Sequence, residues 1–258
     1  DNPRRKLRFL PTGVDLETYD VPADHAFWRQ HGLADRWTAV YAGSIGRVNH
    51  LDYVVDAAEH LDPAEGITLV VIGDGSERQR LIEEARRRGT LDKTVVFLPP
   101  VPRPRVPGLL KACDATLMMN RDMPGMKDLM TNKFFDYLAA GRPMVVNLET
   151  ELTHWVRRRQ CGLVVANDRP EELAEALRRL RRAPEEAAAM GRRGRALAEE
   201  RFDRRRLHPR WERVLAWTAA QGRRAPGAAS PRAADQAGGE PAWTPSHPEV
   251  APPARGEP

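Results

Sequence analysis

The sequence predicts an α/β domain: a parallel sheet of about six strands with helices on both faces. Three observations predict it. Six short apolar runs rich in Val, Ile and Leu are spread through the first two thirds of the 258-residue chain, continuous as in strands covered on both sides. Segments with the 3.6-residue periodicity of amphipathic helices lie between them. Gly and Pro punctuate the junctions. Such alternation builds a sheet wrapped by helices through right-handed crossovers.

Residues 1–20 read as a lead-in, basic at first and then "RFLPTGVDLETYD", with Pro11 and Gly13 marking a turn. The domain proper is expected over 21–218. "TAVYAGS" is the first strand, ending in a Gly turn. "LDYVVDAAEHL" follows as a helix with Leu51, Val54, Val55, Ala58 and Leu61 on one face. "ITLVVIGDG" is the second strand, and "ERQRLIEEARRRG" a helix stopped by Gly89. "KTVVFLP", "ATLMMN", "RPMVVN" and "GLVVA" complete the strands. The short helix "VPGLLKACD" and the helices "TNKFFDYLAAG" and "THWVRRRQ" separate them. Helices close the domain at about 170–182, 185–200 and 203–218. Residues 219–258 are rich in Pro, Gly and Ala, bury too little apolar surface to offset chain entropy, and are expected to be a disordered tail.

The formal net charge is +5, which raises nucleic acid as a partner. The pattern argues against it: in 178–206 the arginines are interleaved with Glu and Asp, as on a solvated, salt-bridged helix surface. Peripheral attraction to anionic lipid stays open. No apolar stretch approaches the roughly 20 residues that span a bilayer. The start shows no secretory leader pattern, so a cytoplasmic location, at most peripheral at the inner membrane face, is the expectation. Asp1 in place of Met suggests a chain cut or processed from something longer. Cys113 and Cys161, without CxxC spacing, read as buried free thiols.

Open parallel sheets bind ligands beyond the carboxyl ends of their strands, where strand order switches. The loops that matter are therefore 43–50, 73–77, 98–104, 120–131 and 147–151. In "AGSIGRVNH", Gly43 and Gly46 let backbone approach a ligand and could aim amides at phosphate, with Arg47 adding charge; an ordinary tight turn explains the same residues. In "IGDGSER", Asp74 reads as an acceptor for turn amides and Ser76 as a helix cap. The segment "NRDMPGMKDLMTNKFFDYLAAGRPMVV" is the most informative. Thr131 or Asn132 could cap a helix that carries Phe134, Phe135 and Leu138 into the core. Its amino end would then be an anion site flanked by Lys127 and Lys133. Asp128 and Asp136 could accept sugar hydroxyls; a turn residue and a helix-dipole charge are their plain alternatives.

The ordered pieces "PTGVDLETYD", "YAGSIG", "LVVIGDGSERQRL", "VVFLPPV", "LLKACDATLMM", "NKFFDYLAAGRPMVV" and "CGLVVANDRPEELAEAL" resemble the carboxyl-terminal domain of family 4 glycosyltransferases, in particular a bacterial cell-surface polysaccharide group. The resemblance runs from about Leu7 to Leu215. It implies a GT-B fold of two Rossmann-like domains, of which this is the donor-binding one. The family's E-x7-E motif falls on Asp128 and Asp136, so the chain reads D-x7-D. By resemblance, Asp136 takes the ribose hydroxyls and Asp128 those of the transferred sugar. Amides at Met130 and Thr131, with Asn132 and Lys133 at the same helix end, face the diphosphate. Leu98, Pro99 and Pro100 edge the base, and Gly43, Ser44 and Gly46 line the phosphate side.

Two departures stand out. Ser44 replaces the family's Arg after the glycine, and Asn49 and His50 stand where a Lys is common. These cations stabilise the leaving diphosphate in place of a metal; Arg47, Lys127 or Lys133 could substitute, with Lys127 and Arg47 favoured. The amino-terminal acceptor domain is not in this sequence, so the chain alone is not expected to be a complete enzyme. The resemblance implies a retaining hexosyl transfer from a UDP- or GDP-type sugar to a lipid-linked or polysaccharide acceptor, needing no metal or other cofactor, with the acceptor domain supplied in cis or in trans. A degenerate or split nucleotide-sugar-binding subunit is the alternative. A sugar-nucleotide epimerase fits the "NKFFDYLAAG" segment less well, and nicotinamide chemistry lacks its GxGxxG.

Overall fold

A computed structural model describes residues 11–126 and 130–222. The expected site residues Lys127 and Asp128 lie outside the described residues, as does the expected 219–258 tail from residue 223 onward; its first four residues, 219–222, are corrected to the end of a helix. The chain divides after Val214; the first unit carries the sheet and the candidate site.

In chain order the elements are α1 (His25–Gln30), β1 (Trp37–Ala42), α2 (Asp52–Glu59), β2 (Ile67–Ile72), α3 (Arg78–Arg87), β3 (Val95–Leu98), α4 (Val106–Lys111) and β4 (Ala115–Met118). Then come α5 (Asn132–Ala140), β5 (Met144–Val146), α6 (Glu151–Arg159), β6 (Gly162–Val164), α7 (Pro170–Arg182), α8 (Pro184–Leu197) and α9 (Arg204–Gly222). The strands form one six-stranded sheet in the order β3-β2-β1-β4-β5-β6, and every pair is parallel. The order reverses between β1 and β4, the switch at which loops diverge and leave a crevice.

Successive strand residues face opposite sides of the sheet, so each strand feeds two cores. Ala39, Tyr41, Leu69, Val71, Leu117 and Val145 pack on one side with α2, α3 and α7. Val40, Val70, Ile72, Met118, Met144 and Val146 pack on the other with α4, α5 and α6. Double coverage explains why the apolar runs are continuous.

The lead-in is more than a turn over its described part. Val14 bridges Asp203 and donates its N–H to the Phe202 carbonyl at 2.8 Å, and Leu16 and Tyr19 are buried in the same core as α5. The helix α1 is an element that periodicity did not reveal. It is six residues long, started by Asp24, whose carboxylate accepts the Phe27 N–H at 3.0 Å, and it is held by the burial of Phe27 and Trp28. Six residues are too few for a period to show.

Two capping expectations are corrected. Ser76 does not cap α3; the helix begins after Glu77 with no side-chain cap, because the Ile45 carbonyl from the β1 loop accepts the Glu77 N–H at 3.1 Å. Thr131 stands at the cap position of α5, but its side chain makes no capping bond. Its hydroxyl turns instead to the Met118 sulfur at 3.7 Å.

Candidate functional site

The site is built where the β1 loop, the β2 loop and the start of α5 meet at the β1–β4 switch. Close backbone packing sets the first two. A Cβ at Gly73 would fall 1.9 Å from the Gly43 carbonyl oxygen, and one at Gly75 would fall 2.3 Å from that of Ile45. Both glycines have positive φ, 149° and 156°, which only Gly adopts readily. The Gly73 N–H reaches the Leu98 carbonyl at 3.3 Å, joining the end of β3, with exposed Pro99 and Pro100 beyond it, to the same backbone stack.

The expectation that the Gly43 and Gly46 amides face a ligand is corrected. The Gly43 N–H donates to the Ile72 carbonyl at 2.9 Å, and the Gly46 N–H to the Asn49 side chain at 3.1 Å. Gly43 makes room instead: a Cβ there would lie 3.3 Å from the Lys133 ammonium and 3.4 Å from its Cδ.

The α5 helix reaches this tip through three side chains. The Tyr137 hydroxyl accepts the Ala42 N–H at 3.0 Å, fixing the helix to the end of β1. Lys133 Nζ donates to the Tyr41 hydroxyl at 3.1 Å and stands 4.9 Å from the centre of that ring. The Tyr41 hydroxyl in turn donates to the Ser44 carbonyl at 2.6 Å. Asp136, half-buried, accepts the Tyr19 hydroxyl at 3.0 Å. Lys133 and Asp136 are three residues apart on one helix and therefore share a face.

Electrostatics mark both groups. Burial pushes the Asp136 carboxyl above its ordinary value, against the Tyr19 hydrogen bond and the charges of Arg103, Arg204 and Lys133. Burial pushes the Lys133 ammonium below its ordinary value, with Asp136 opposing. Among the described residues neither forms an ion pair. Met130 and Thr131 are half-buried and Asn132 exposed at the helix start. Arg47 is exposed within the β1 loop, where its carbonyl accepts from Arg121 at 3.1 Å. The structure thus brings together Gly43, Ser44, Lys133 and Asp136, and no contact among the described residues joins the Arg47 guanidinium to them.

Sequence reasoning missed the tyrosines, and also an asparagine net across the neighbouring strand tips. The Asn147 side-chain carbonyl accepts the Asn120 N–H at 2.8 Å, and the Asn167 amide donates to the Asn120 and Asn147 carbonyls at 2.8 and 2.9 Å. Asn147 also meets His50 Nδ1 at 3.2 Å, and burial, then Arg121, hold that imidazole below its ordinary value. The signal was present: an Asn follows each of β4, β5 and β6. A hollow of 510 Å³ along β6 and α7, lined by Leu163, Ala176 and Arg182 among others, includes no residue of α5 or of the β1 loop. The convergence at the switch, and not hollow size, picks out the site. Among the described residues no group of three or more His, Cys, Asp or Glu could hold a metal ion, and no helix is long and apolar enough to cross a membrane.

A six-stranded parallel sheet in this order, covered by helices on both faces and with its crevice at the β1–β4 switch, is a Rossmann-like domain of the kind that makes up one half of a GT-B glycosyltransferase. The chain belongs to the family described as Glycosyl transferases group 1, whose profile matches residues 36–182. It is 30% identical over 178 residues to a GDP-mannose-dependent alpha-(1-6)-phosphatidylinositol dimannoside mannosyltransferase of Mycobacterium tuberculosis, covering 68% of this chain and 44% of that protein. It is 29% identical over 151 residues to the putative colanic acid biosynthesis glycosyl transferase WcaI of Escherichia coli, covering 56% of this chain and 36% of that one. The chain therefore spans less than half the length of these relatives. Among solved structures, Anabaena HepE in complex with UDP-glucose superposes with a TM-score of 0.71 at 18% identity, over 81% of this chain and 57% of that one. The C-terminal domain of a Francisella tularensis group 1 glycosyl transferase superposes at 0.62 and 16% identity, over 74% of this chain and 99% of that domain.

Proposed function

We propose that this chain is the donor-binding half of a retaining glycosyltransferase that moves a hexosyl unit from a nucleoside diphosphate sugar to a lipid-linked or polysaccharide acceptor. The observation that carries the reading is the pairing of Lys133 and Asp136 on one face of α5 at the β1–β4 switch. An anion-seeking group and a hydroxyl-seeking group lie one helical turn apart, as a diphosphate and its adjoining ribose require. The relatives support it: the mycobacterial protein is described as GDP-mannose-dependent, and the HepE structure holds UDP-glucose. These two name different bases, so both nucleotides belong in the test.

In this reading Asp136 accepts the ribose hydroxyls, and the half-buried backbone at Met130 and Thr131, with Asn132 and Lys133, faces the diphosphate. Leu98 to Pro100 edge the base. Asp128 keeps the contact with the transferred sugar that the family resemblance implies. No metal or other cofactor is called on, because side-chain cations take up the diphosphate charge. The acceptor side comes from another segment or another chain, and contact with anionic lipid would serve a lipid-linked acceptor.

Isothermal calorimetry with UDP and with GDP tests this. The expected outcome is binding of at least one, with dissociation constants from micromolar to millimolar, and little transfer by the chain alone. A folded sample that gives no heat with either nucleotide refutes the reading. A split subunit is separated from a degenerate one by adding an acceptor-domain partner, which restores transfer only to the former.

A further inference from the structure

We infer that Lys133, held over the β1 loop by Tyr41, is the cation that takes up the charge of the departing nucleoside diphosphate. The inference rests on the donor-binding reading above and assigns within it the role that sequence reasoning gave to Lys127 and Arg47.

Lys133 leaves the first turn of α5 and lays its side chain back across the end of β1, so that its ammonium sits over Gly43. That is the residue directly before Ser44, and Ser44 is exposed and has no charge to offer. The cation that a diphosphate needs at this loop is thus delivered from the helix and not from the loop itself.

The Tyr41 hydroxyl has one proton, and it is committed to the Ser44 carbonyl at 2.6 Å. Toward Lys133 it can therefore only accept, at 3.1 Å. The ring beneath, with its centre 4.9 Å from Nζ, attracts the ammonium by its quadrupole. One tyrosine so fixes both the loop carbonyl and the lysine. Tyr41 is fully buried, which makes this a built position and not a surface rotamer.

A half-buried ammonium with no carboxylate partner among the described residues loses hydration that one hydroxyl and one ring do not restore. Burial holds its proton affinity below the ordinary lysine value. A structural role would be served as well by an uncharged side chain. An incoming anion explains why the charge is kept.

The chemistry follows. The bond from the sugar's anomeric carbon to the diphosphate oxygen breaks, and its electron pair passes to that oxygen. The acceptor hydroxyl oxygen bonds the same carbon and gives its proton to the departing phosphate. Lys133 gives up no atom; it lowers the cost of the negative charge that accumulates on the leaving group.

Calorimetry on the 258-residue chain tests this with UDP, GDP, uridine and guanosine, on wild type and on Lys133→Met, Lys133→Arg and Tyr41→Phe. Methionine keeps the apolar stem over the ring without the charge. The expected result is that Lys133→Met weakens the diphosphate by roughly tenfold or more, leaves the matching nucleoside within about twofold, and melts no lower than wild type. Arginine recovers part of the loss, and Tyr41→Phe loses part. If Lys133→Met binds the diphosphate like wild type, or loses nucleoside and diphosphate equally, the assignment is overturned. A lower melting temperature with unchanged selectivity also overturns it, because Lys133 is then a prop. If wild type binds neither nucleotide, the donor-binding reading itself falls, and the inference falls with it; that outcome is told apart because it appears without any mutation.

Discussion

The helices that face solvent and the amino end of α5 handle charge in opposite ways. Along α2, α3 and α7 most charges are answered. Arg88 meets Asp56 at 2.7 Å, Glu59 at 2.6 Å and Glu84 at 2.6 Å, and Arg178 grips Glu65 with two nitrogens, both at 2.8 Å. Glu84 and Glu65 sit below their ordinary values, first of all because Arg87 and Arg178 bind them, although burial raises Asp56 despite its Arg88 partner. At the strand tips the shifts reverse. Asp136 is raised and Lys133 lowered, each first of all by burial. Glu65 and Glu84 are stabilised in their charged forms by their arginines; Asp136 and Lys133, without an ion-pair partner among the described residues, are strained in theirs. The many arginines therefore say little about function, and two half-buried charges on α5 say a great deal.

The largest expected effect tests the scaffold that makes this contrast possible. Gly73→Ala would drive a Cβ to within 1.9 Å of the Gly43 carbonyl oxygen, at a φ of 149°. No flexible side chain can yield there, because the obstacle is backbone. A loss of about 3 kcal/mol is expected, read as a lower denaturant midpoint. A variant as stable as wild type would show that the loops are not packed tightly enough to hold Lys133 in register.

Next in size is Asp136→Asn. The folded carboxyl is raised above its ordinary value, so the folded state holds its proton to higher pH than the unfolded chain does. Stability from this group is complete in acid and falls as pH rises through that interval. At neutral pH the carboxylate is thus a burden, and an amide can still accept the Tyr19 hydroxyl. The variant should melt at or above wild type at pH 7, with the difference closing in acid. Its nucleotide affinity should fall roughly tenfold or more. A variant that melts lower with unchanged affinity would make Asp136 a structural partner of Tyr19 and dissolve the contrast.

How much of this was legible in the sequence depends on the range of the interaction. The six strands, the helix over 132–140 and its stop at Gly141 follow from local periodicity and from φ of 67° at the glycine, and all were readable. So was Asp136, as a charge one turn inside a helix. Tyr19 was not: it meets Asp136 across 117 residues, and no local pattern encodes that. Gly43 was legible as a special position but not in its use. The sequence cannot distinguish a glycine that offers its amide from one that clears space for a lysine of another element. The short α1 escaped for want of length, and the asparagines after β4, β5 and β6 escaped because each alone resembles an ordinary strand-end residue.

The smallest effect sharpens the comparison from the paired side. Arg178→Ala removes the two-nitrogen grip on Glu65 and a hydrogen bond to the His60 carbonyl. The pair is partly exposed, so about 1 kcal/mol or less is expected, shrinking further in high salt as screening takes over. Glu65 is depressed in the folded state, so its contribution is present above the ordinary carboxylate range and is lost as pH falls through the folded value. The gap between variant and wild type should therefore narrow on acidification, as the Asp136→Asn gap does, but from the other side: here wild type is the more stable protein at pH 7, and there the variant is. Nucleotide binding should be unchanged, because Glu65 and Arg178 tie the turn before β2 to α7, at the end of the sheet opposite the strand tips. If Arg178→Ala altered nucleotide affinity as strongly as Asp136→Asn, charge at this site would be one coupled field, and the division between solvating and working charges would not hold.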